Sequence, residues 1–215
     1  SNIIYDISPT ETPFQSNIGR DKATNTLHEW IVDSLATANA SNSHIDGDEF
    51  SGDALTAGER LGNYCQISRK DLLVSRRANI VSKAGRAKEM AYQLSKAGKE
   101  LKRDVEAVLL SNQVAAADSS SSAPTTAGLP AWIGVGVNSE VDANNTNRGS
   151  GGADPALSST DYGTPTTAAT DGTVRALTED GLLSVLNACY INGAVPNLLM
   201  MGPNGKQTFS AYMFS

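Results

Sequence analysis

The chain is poor in the side chains that do chemistry. Its 215 residues include two histidines and two cysteines, so a Ser-His-Asp or Cys-His site would have to use His28 or His44. Neither stands in a nucleophile-elbow context. His28, between Leu27 and Trp30 on an expected strand, reads as structural. Cys65 and Cys189 are far apart in sequence with no Cys-x-x-Cys spacing, which argues against a disulfide framework or a cysteine metal site and leaves isolated buried thiols as the expectation. No apolar run approaches the roughly 18 residues of a membrane-spanning helix, and the first residues lack the basic and apolar regions of a signal peptide. Cytoplasmic production is the expectation.

Ligand motifs fail on inspection. An EF-hand loop beginning at Asp46 needs an oxygen ligand at its fifth position and glycine at its sixth, where Phe50 and Ser51 stand. An acidic turn is the simpler reading of His44-Ile45-Asp46-Gly47-Asp48-Glu49. Gly202-Pro203-Asn204-Gly205-Lys206 resembles the end of a phosphate-binding loop, but Met200 replaces the first glycine and Gln207 the hydroxyl residue. Gly134-Val135-Gly136 lacks the third glycine and the helix of a dinucleotide fingerprint. No catalytic residue, metal site or cofactor is expected.

What the chain does have is a core's worth of apolar residues, 40% hydrophobic against 19% charged, which suits one globular domain or two small ones. The net charge of −6 conceals a polarity: residues 69–106 hold eleven Lys and Arg against five Asp and Glu, leaving about −12 for the rest. A generally basic nucleic-acid-binding chain is thereby disfavoured. A basic band remains that could meet an acidic partner or phosphates.

The most regular feature is a helix expected over Ser82 to Asn112, a rod of roughly 45 Å at 1.5 Å per residue. Ala84, Ala87, Ala91, Leu94, Gly98, Leu101, Val105 and Val108 fall on one stripe, a packing seam. Its charges oppose its own dipole: Lys83, Arg86 and Lys88 near the start, Asp104 and Glu106 near the end, each misplacement costing on the order of 0.3–1 kcal/mol. These charges are therefore expected to serve neighbours.

Around this rod, residues 1–22 read as an arm with breakers (Pro9, Pro13, Gly19) and apolar anchors (Ile3, Ile4, Tyr5, Ile7, Phe14, Ile18) that borrows its order from what it lies against. Thr26 to Leu35 and Tyr64 to Val74 read as the legs of a hairpin. The connection Ala36 to Gly62, carrying Asp46, Asp48, Glu49, Asp53 and Glu59, is far longer than ordinary hairpin loops and is expected to project as a functional element. A strand is expected at Leu129 to Val137 around Trp132, and a long surface loop at Asn138 to Gly172. Thr178 is the expected cap of a helix running to about Ile191 and closed by Asn192-Gly193. Val195 to Met201 reads as a buried strand, and Gly202-Pro203-Asn204-Gly205 as a turn. The ending amid Phe209, Tyr212, Met213 and Phe214 looks abrupt, as if more sequence follows.

Several short motifs point one way. Ile7-Ser-Pro9-Thr-Glu11-Thr-Pro13-Phe14, Ile18-Gly19 and His28-Glu29-Trp30 with Asp33 occur in order with Arg60-Leu61-Gly62-Asn63-Tyr64 and Gln66-Ile67. Lys99-Glu100-Leu101-Lys102-Arg103-Asp104, Gly128-Leu129 before Trp132, and Leu177-Thr178-Glu179 follow. The ordered set, covering most of residues 7–209, resembles the tailed-phage major capsid proteins of the SU10-like family. The resemblance implies an α+β chain with the HK97-type capsid fold: an N-terminal arm (1–25), an extended β-hairpin E-loop (26–78), a peripheral domain with a long spine helix and a Gly/Ser/Thr-rich loop (79–172), and the start of an axial domain (173–215) whose C-terminal part is missing.

The function so implied is a structural protein of the virion, not an enzyme, assembled in the host cytoplasm. It would self-assemble into hexamers and pentamers of an icosahedral shell around double-stranded DNA. The implied partners are further copies of itself, scaffolding, portal and decoration proteins, and packaged DNA at the inner surface, with no membrane. The inter-subunit contact residues expected are Phe14, Trp30, Asp46, Asp48, Glu49, Arg69, Lys70, Arg76, Arg77, Lys83 and Arg86, the acidic tip of one subunit meeting the basic band of the next. Shells of the fold's type member are cross-linked through an E-loop lysine, but no lysine lies between Lys22 and Lys70, so noncovalent stabilisation is expected. The competing reading is a basic-band nucleic-acid-binding or virion-associated structural module. Against it, Tyr92 is the only aromatic between Arg69 and Glu106, too few for base stacking.

Overall fold

A computed structural model describes residues 11–49, 52, 57–81, 88–134, 151–174 and 176–213. The expectations for the first ten residues, Asp53, residues 82–87 with Lys83 and Arg86, residues 135–150 and Phe214 lie outside the described residues.

Helix α1 (Pro13–Asn17) is a single short helix with proline in its first turn. Strands β1 (Leu27–Val32) and β2 (Glu59–Tyr64) pair antiparallel, from Leu27 opposite Tyr64 to Val32 opposite Glu59. The hairpin exists as expected, but its second leg is residues 59–64, not 64–74. The apolar alternation of Cys65, Ile67 and Leu73 is outcompeted by residues that have partners off the strand. Arg60 crosses diagonally to Glu29, Asn63 reaches Ala127 and Tyr64 reaches Asp161. Ile67 and Leu73 are left exposed.

After β2 come α2 (Arg76–Ile80), capped by the Ser75 hydroxyl accepting from Ala78 N, and the long helix α3 (Glu89–Leu110). At 22 residues, α3 is roughly 33 Å long, shorter than expected at its start. Lys88 is extended and caps it, the Asn79 side-chain oxygen accepts from Met90 N at 3.2 Å, and Glu89 in the first turn suits the dipole. Ser111 is extended, so the helix ends just before Asn112.

The expected seam is covered only in its second half. Leu101, Val105 and Val108 are half-buried, whereas Ala91, Leu94 and Gly98 are exposed. The fully buried residues of α3 are Ala97 and Glu106. The reason is where the core sits: beside the end of α3, around Ala115, Ala127 and Ala131 with Tyr64 and Trp132 packed against them. Gly128 lies against the helix end, and an added Cβ there would stand 2.0 Å from Ser111 O and 2.8 Å from Val108 O.

The expected strand at Leu129 begins instead as one 3₁₀ turn, Leu129–Ala131, because Pro130 cannot donate to a ladder. The described part of the expected surface loop, residues 151–172, carries structure of its own. Strands β3 (Ala156–Leu157) and β4 (Pro165–Thr167) pair, Thr164 and Pro165 are the largest fully buried side chains, and Pro165 O accepts from Ala115 N at 2.9 Å. Local Ser and Thr hydrogen bonds, such as Ser158 Oγ to Asp161 N at 2.9 Å, order this polar stretch without an apolar pattern.

Helix α4 (Glu179–Ile191) starts on Thr178, whose hydroxyl accepts from Gly181 N, and ends at Asn192 with Gly193 at φ 79°, as expected. Residues 194–200 are exposed and pair with no strand among the described residues, correcting the buried strand at Val195 to Met201. The expected turn at Gly202 opens helix α5 (Pro203–Met213): proline is preformed for a first helical position, and Lys206 N donates to Gly202 O. Cys65 is exposed just past β2 and Cys189 half-buried, so neither is the buried thiol expected.

Candidate assembly surface

Three features of the fold are candidates for contact with a partner: the mounted arm, the hairpin with its long loop and the basic stretch before α3. Each is fixed at its base by polar side chains.

The arm is held by Glu106. Its two carboxylate oxygens accept from Phe14 N at 2.7 Å and Gln15 N at 2.8 Å, satisfying the free amides at the start of α1 from a side chain that is itself 9% exposed. Asp104, on the same turn of α3, holds Lys70 at 2.8 Å. The carboxylates that oppose the dipole of α3 thus serve neighbours, as expected. The Lys70 ammonium is held charged to higher pH than usual, chiefly by its hydrogen bond to Asp104.

The hairpin is clamped along β2. Asn63 accepts from Ala127 N at 2.8 Å and donates to Ala127 O at 3.3 Å, imitating a strand pair. Gln66 Oε1 accepts from Thr126 N and from Gln113 Nε2, which also donates to Thr126 O. Across the hairpin, the Arg60 guanidinium stands 2.5 Å from Glu29 and 4.2 Å from the ring centre of Tyr162. Its already high pKa is raised further by the Glu29 hydrogen bond, which outweighs burial. Tyr162 is left-handed at φ 48° and Gly163 at φ 63°, where a Cβ would stand 2.8 Å from Arg60 O. Trp30 meets Trp132 with ring centres 5.2 Å apart, and His28 lies 6.0 Å from Trp30.

Tyr64 donates to Asp161 at 3.0 Å, and its pKa is raised, first by burial and then by that carboxylate. A pKa higher folded than unfolded favours folding only while the phenol is protonated. The contribution is complete below the ordinary tyrosine pKa of about 10 and is lost as pH rises through the raised value. In an ultraviolet titration, Tyr64 should ionise above the ordinary tyrosine range, and Tyr64→Phe should abolish that late step. An unchanged titration in the variant would show that the late group is another tyrosine.

Beyond the mount, the hairpin carries apolar side chains outward. Ile31 is 74% and Leu35 98% exposed. Of the expected contact residues, Phe14 is half-buried beside Glu106. Trp30, Asp46, Asp48, Glu49, Arg69, Lys70, Arg76 and Arg77 are exposed, and Lys83 and Arg86 lie outside the described residues. Asp46 and Asp48 sit in a turn in which Ile45 O accepts from Asp48 N at 3.1 Å. Among the described residues, no ion pair joins the acidic tip to the basic band: Lys70 goes to Asp104, and Arg69 lies 3.4 Å from Asp71. Sequence reasoning meets Asn63 and Gln66 only as members of short motifs, without their anchoring role, and does not find Gln113, Asp161 and Tyr162, because isolated polar residues carry no periodic signal. Glu106 is signalled only by its position against the dipole.

Among the described residues, no group of three or more metal-ligating side chains converges, and no helix is long and apolar enough to cross a membrane. Large apolar side chains also stand exposed outside the hairpin, Leu73 at 100%, Val174 at 93% and Val195 at 82%, and apolar surface of this kind marks candidate interaction sites.

Comparison with known proteins gives the family. A major capsid protein of Escherichia phage Phieco32 is 39% identical over 113 residues, 53% of this chain and 32% of that protein. The aligned stretch therefore spans about a third of the relative's length. The family model described as SU10 major capsid protein matches residues 1–215. The projecting apolar hairpin, the clasped arm and the uncovered surface are thus features of a chain that belongs to the SU10 major capsid protein family.

Proposed function

We propose that this chain is the shell-forming subunit of a phage head, a structural protein without enzymatic activity, and that it has the HK97-type arrangement. In this reading residues 1–25 are the arm, 26–78 the E-loop, 79–172 the peripheral domain with α3 as spine helix, and 173–215 the beginning of the axial domain. The observation that carries it is the uncovered surface: apolar hairpin, α4 and residues 194–200 are exposed in the single chain, and burying them between identical copies is what shell closure supplies. Contacts between different faces of one subunit form rings when the rotation closes, giving hexamers and pentamers. The absence of lysine between Lys22 and Lys70 supports a noncovalent shell. Double-stranded DNA inside, and scaffolding, portal and decoration proteins, complete the set of partners in a virion assembled in the host cytoplasm.

Light scattering with electron microscopy of the purified protein tests this directly. Rings or shells are the expected result; monomers across salt and concentration would remove the reading. Charge steers the encounter while apolar contacts supply most of the affinity. Replacing Asp46, Asp48 and Glu49 together with Lys should therefore slow assembly about tenfold or more at low salt, with the monomer still folded. Unchanged assembly kinetics would count against a steering role for the tip.

A further inference from the structure

One exposed face of α3 carries a single sign of charge. At about 3.6 residues per turn, Lys96, Lys99, Lys102 and Arg103 fall within an arc of roughly 120°, and all four are exposed. Between residues 92 and 106 the carboxylates are drawn away from this arc. Glu106 lies on it, but it is 9% exposed and both its oxygens accept from the arm, at Phe14 N and Gln15 N. Asp104, toward the far side of the helix, holds Lys70 at 2.8 Å. Glu100, at the edge of the arc, reaches Lys96 only at 3.7 Å, with both side chains open to water, a pair of the kind that contributes little. The arm thus occupies the one acid on the face and leaves the face basic.

What the face lacks indicates its partner. The exposed apolar side chains of this part of α3, Met90 and Leu94, stand on the other side of the helix, and the one aromatic on the arc, Tyr92, is half-buried. Cores of protein interfaces are depleted in lysine and enriched in aromatics and methionine, so a face of lysines without an apolar anchor is poorly suited to a protein. Single-stranded nucleic acid binds on aromatic stacking platforms, which are missing as well. A regular polyanion remains. Duplex DNA presents one phosphate charge per about 1.7 Å of its axis, so four cations spread over roughly 10 Å of helix can all meet phosphates at once.

Resting on the shell reading above, we propose that the face of α3 bearing Lys96, Lys99, Lys102 and Arg103 is the surface that meets the phosphate backbone of the packaged duplex. The contact is to backbone and not to base edges, so it is independent of sequence and driven by release of counterions. Such binding suits a genome that must be held without being read.

Binding of a fluorescent random-sequence DNA duplex by the purified protein, followed by anisotropy across a salt series, tests it. The variant Lys99→Gln, Lys102→Gln, Arg103→Gln is compared with Arg69→Gln, Arg76→Gln, Arg77→Gln, which removes as many charges elsewhere; circular dichroism checks that both are folded. The first variant should flatten the slope of log affinity against log salt by about 2–3 and weaken binding about tenfold or more at low salt. The second should change the slope by less than about 1. Absence of duplex binding by the unmodified protein at low salt would overturn the proposal, as would equal slopes for the two variants. Polyglutamate bound as tightly as the duplex would assign the face to an acidic protein instead and also overturn it. Light scattering on the same samples separates this inference from the reading it rests on. Shells that form while duplex binding ignores the first variant remove the DNA face alone; duplex binding lost in the first variant of a protein that forms no shells keeps the face and removes the shell reading.

Discussion

Gly128→Ala should lower the stability of this chain by about 3 kcal/mol or more. The new methyl group would stand 2.0 Å from Ser111 O and 2.8 Å from Val108 O. Both are backbone atoms, and neither can yield by a change of rotamer. Ordinary overpacking in a core costs about 1–3 kcal/mol because side chains can shift; here the end of α3 must move instead. The movement would break Gly128 N to Gln113 O at 2.9 Å and disturb Ala127 and Ala131, two of the core alanines beside the helix end. For a domain of this size the midpoint of thermal unfolding should fall by about 6–12 °C. Gly98→Ala is the control, because nothing lies within 4 Å of a Cβ there. Alanine also has the better helix propensity, so the variant should match or exceed the parent. Equal midpoints for the two variants would show that the helix end is not held as described.

Loss of Glu106 should release the arm. Glu106→Ala removes both acceptors of the Phe14 and Gln15 amides, and hydrogen bonds to a charged group are worth about 1.5–3 kcal/mol each. Once α1 detaches, water satisfies its amides, so the net cost should be about 2–3 kcal/mol rather than the sum of both bonds. Hydrogen exchange at those two amides measures it. Their protection should drop by roughly 30–150-fold, the conversion of that energy at 1.4 kcal/mol per tenfold. Amides of α3 away from the clasp should be unaffected. Glu106→Gln keeps a single acceptor and should fall between. Full protection in the alanine variant would mean that Phe14 packing alone holds the arm.

These two sites differ in how far the sequence reveals them. Glu106 stands out from its place in the helix pattern, since a carboxylate near a helix C-terminus is unfavourable for that helix and must answer to something else. What it answers to, the first amides of a five-residue helix more than ninety positions earlier, cannot be inferred from spacing. Gly128 gives still less warning: a glycine before Leu129-Pro130 reads as loop, and its close approach to Ser111 exists only once the chain has folded back on α3. The hairpin is legible in kind but not in register. Alternating apolar residues run from Tyr64 to Val74, and only the anchors at Asn63, Tyr64 and Arg60 select the preceding residues as the paired leg.

Local chemistry determined the elements whose reasons lie within a few residues of themselves. Thr178 with Glu179 and Asp180 starts a helix, Asn192-Gly193 ends it, and the described residues of the long loop, Asp46, Asp48 and Glu49 among them, stay exposed because its polar composition cannot build a core. Composition alone argued against catalysis, and an ordered set of short motifs identified the family. Tertiary structure alone decided where α3 begins, which half of its seam is covered, which strand residues pair, and that residues 195–201 find no strand partner among the described residues. Those outcomes depend on contacts between residues tens of positions apart. Such contacts are set by which buried polar groups find partners and where small residues let backbones approach, and neither leaves a periodic trace in the chain.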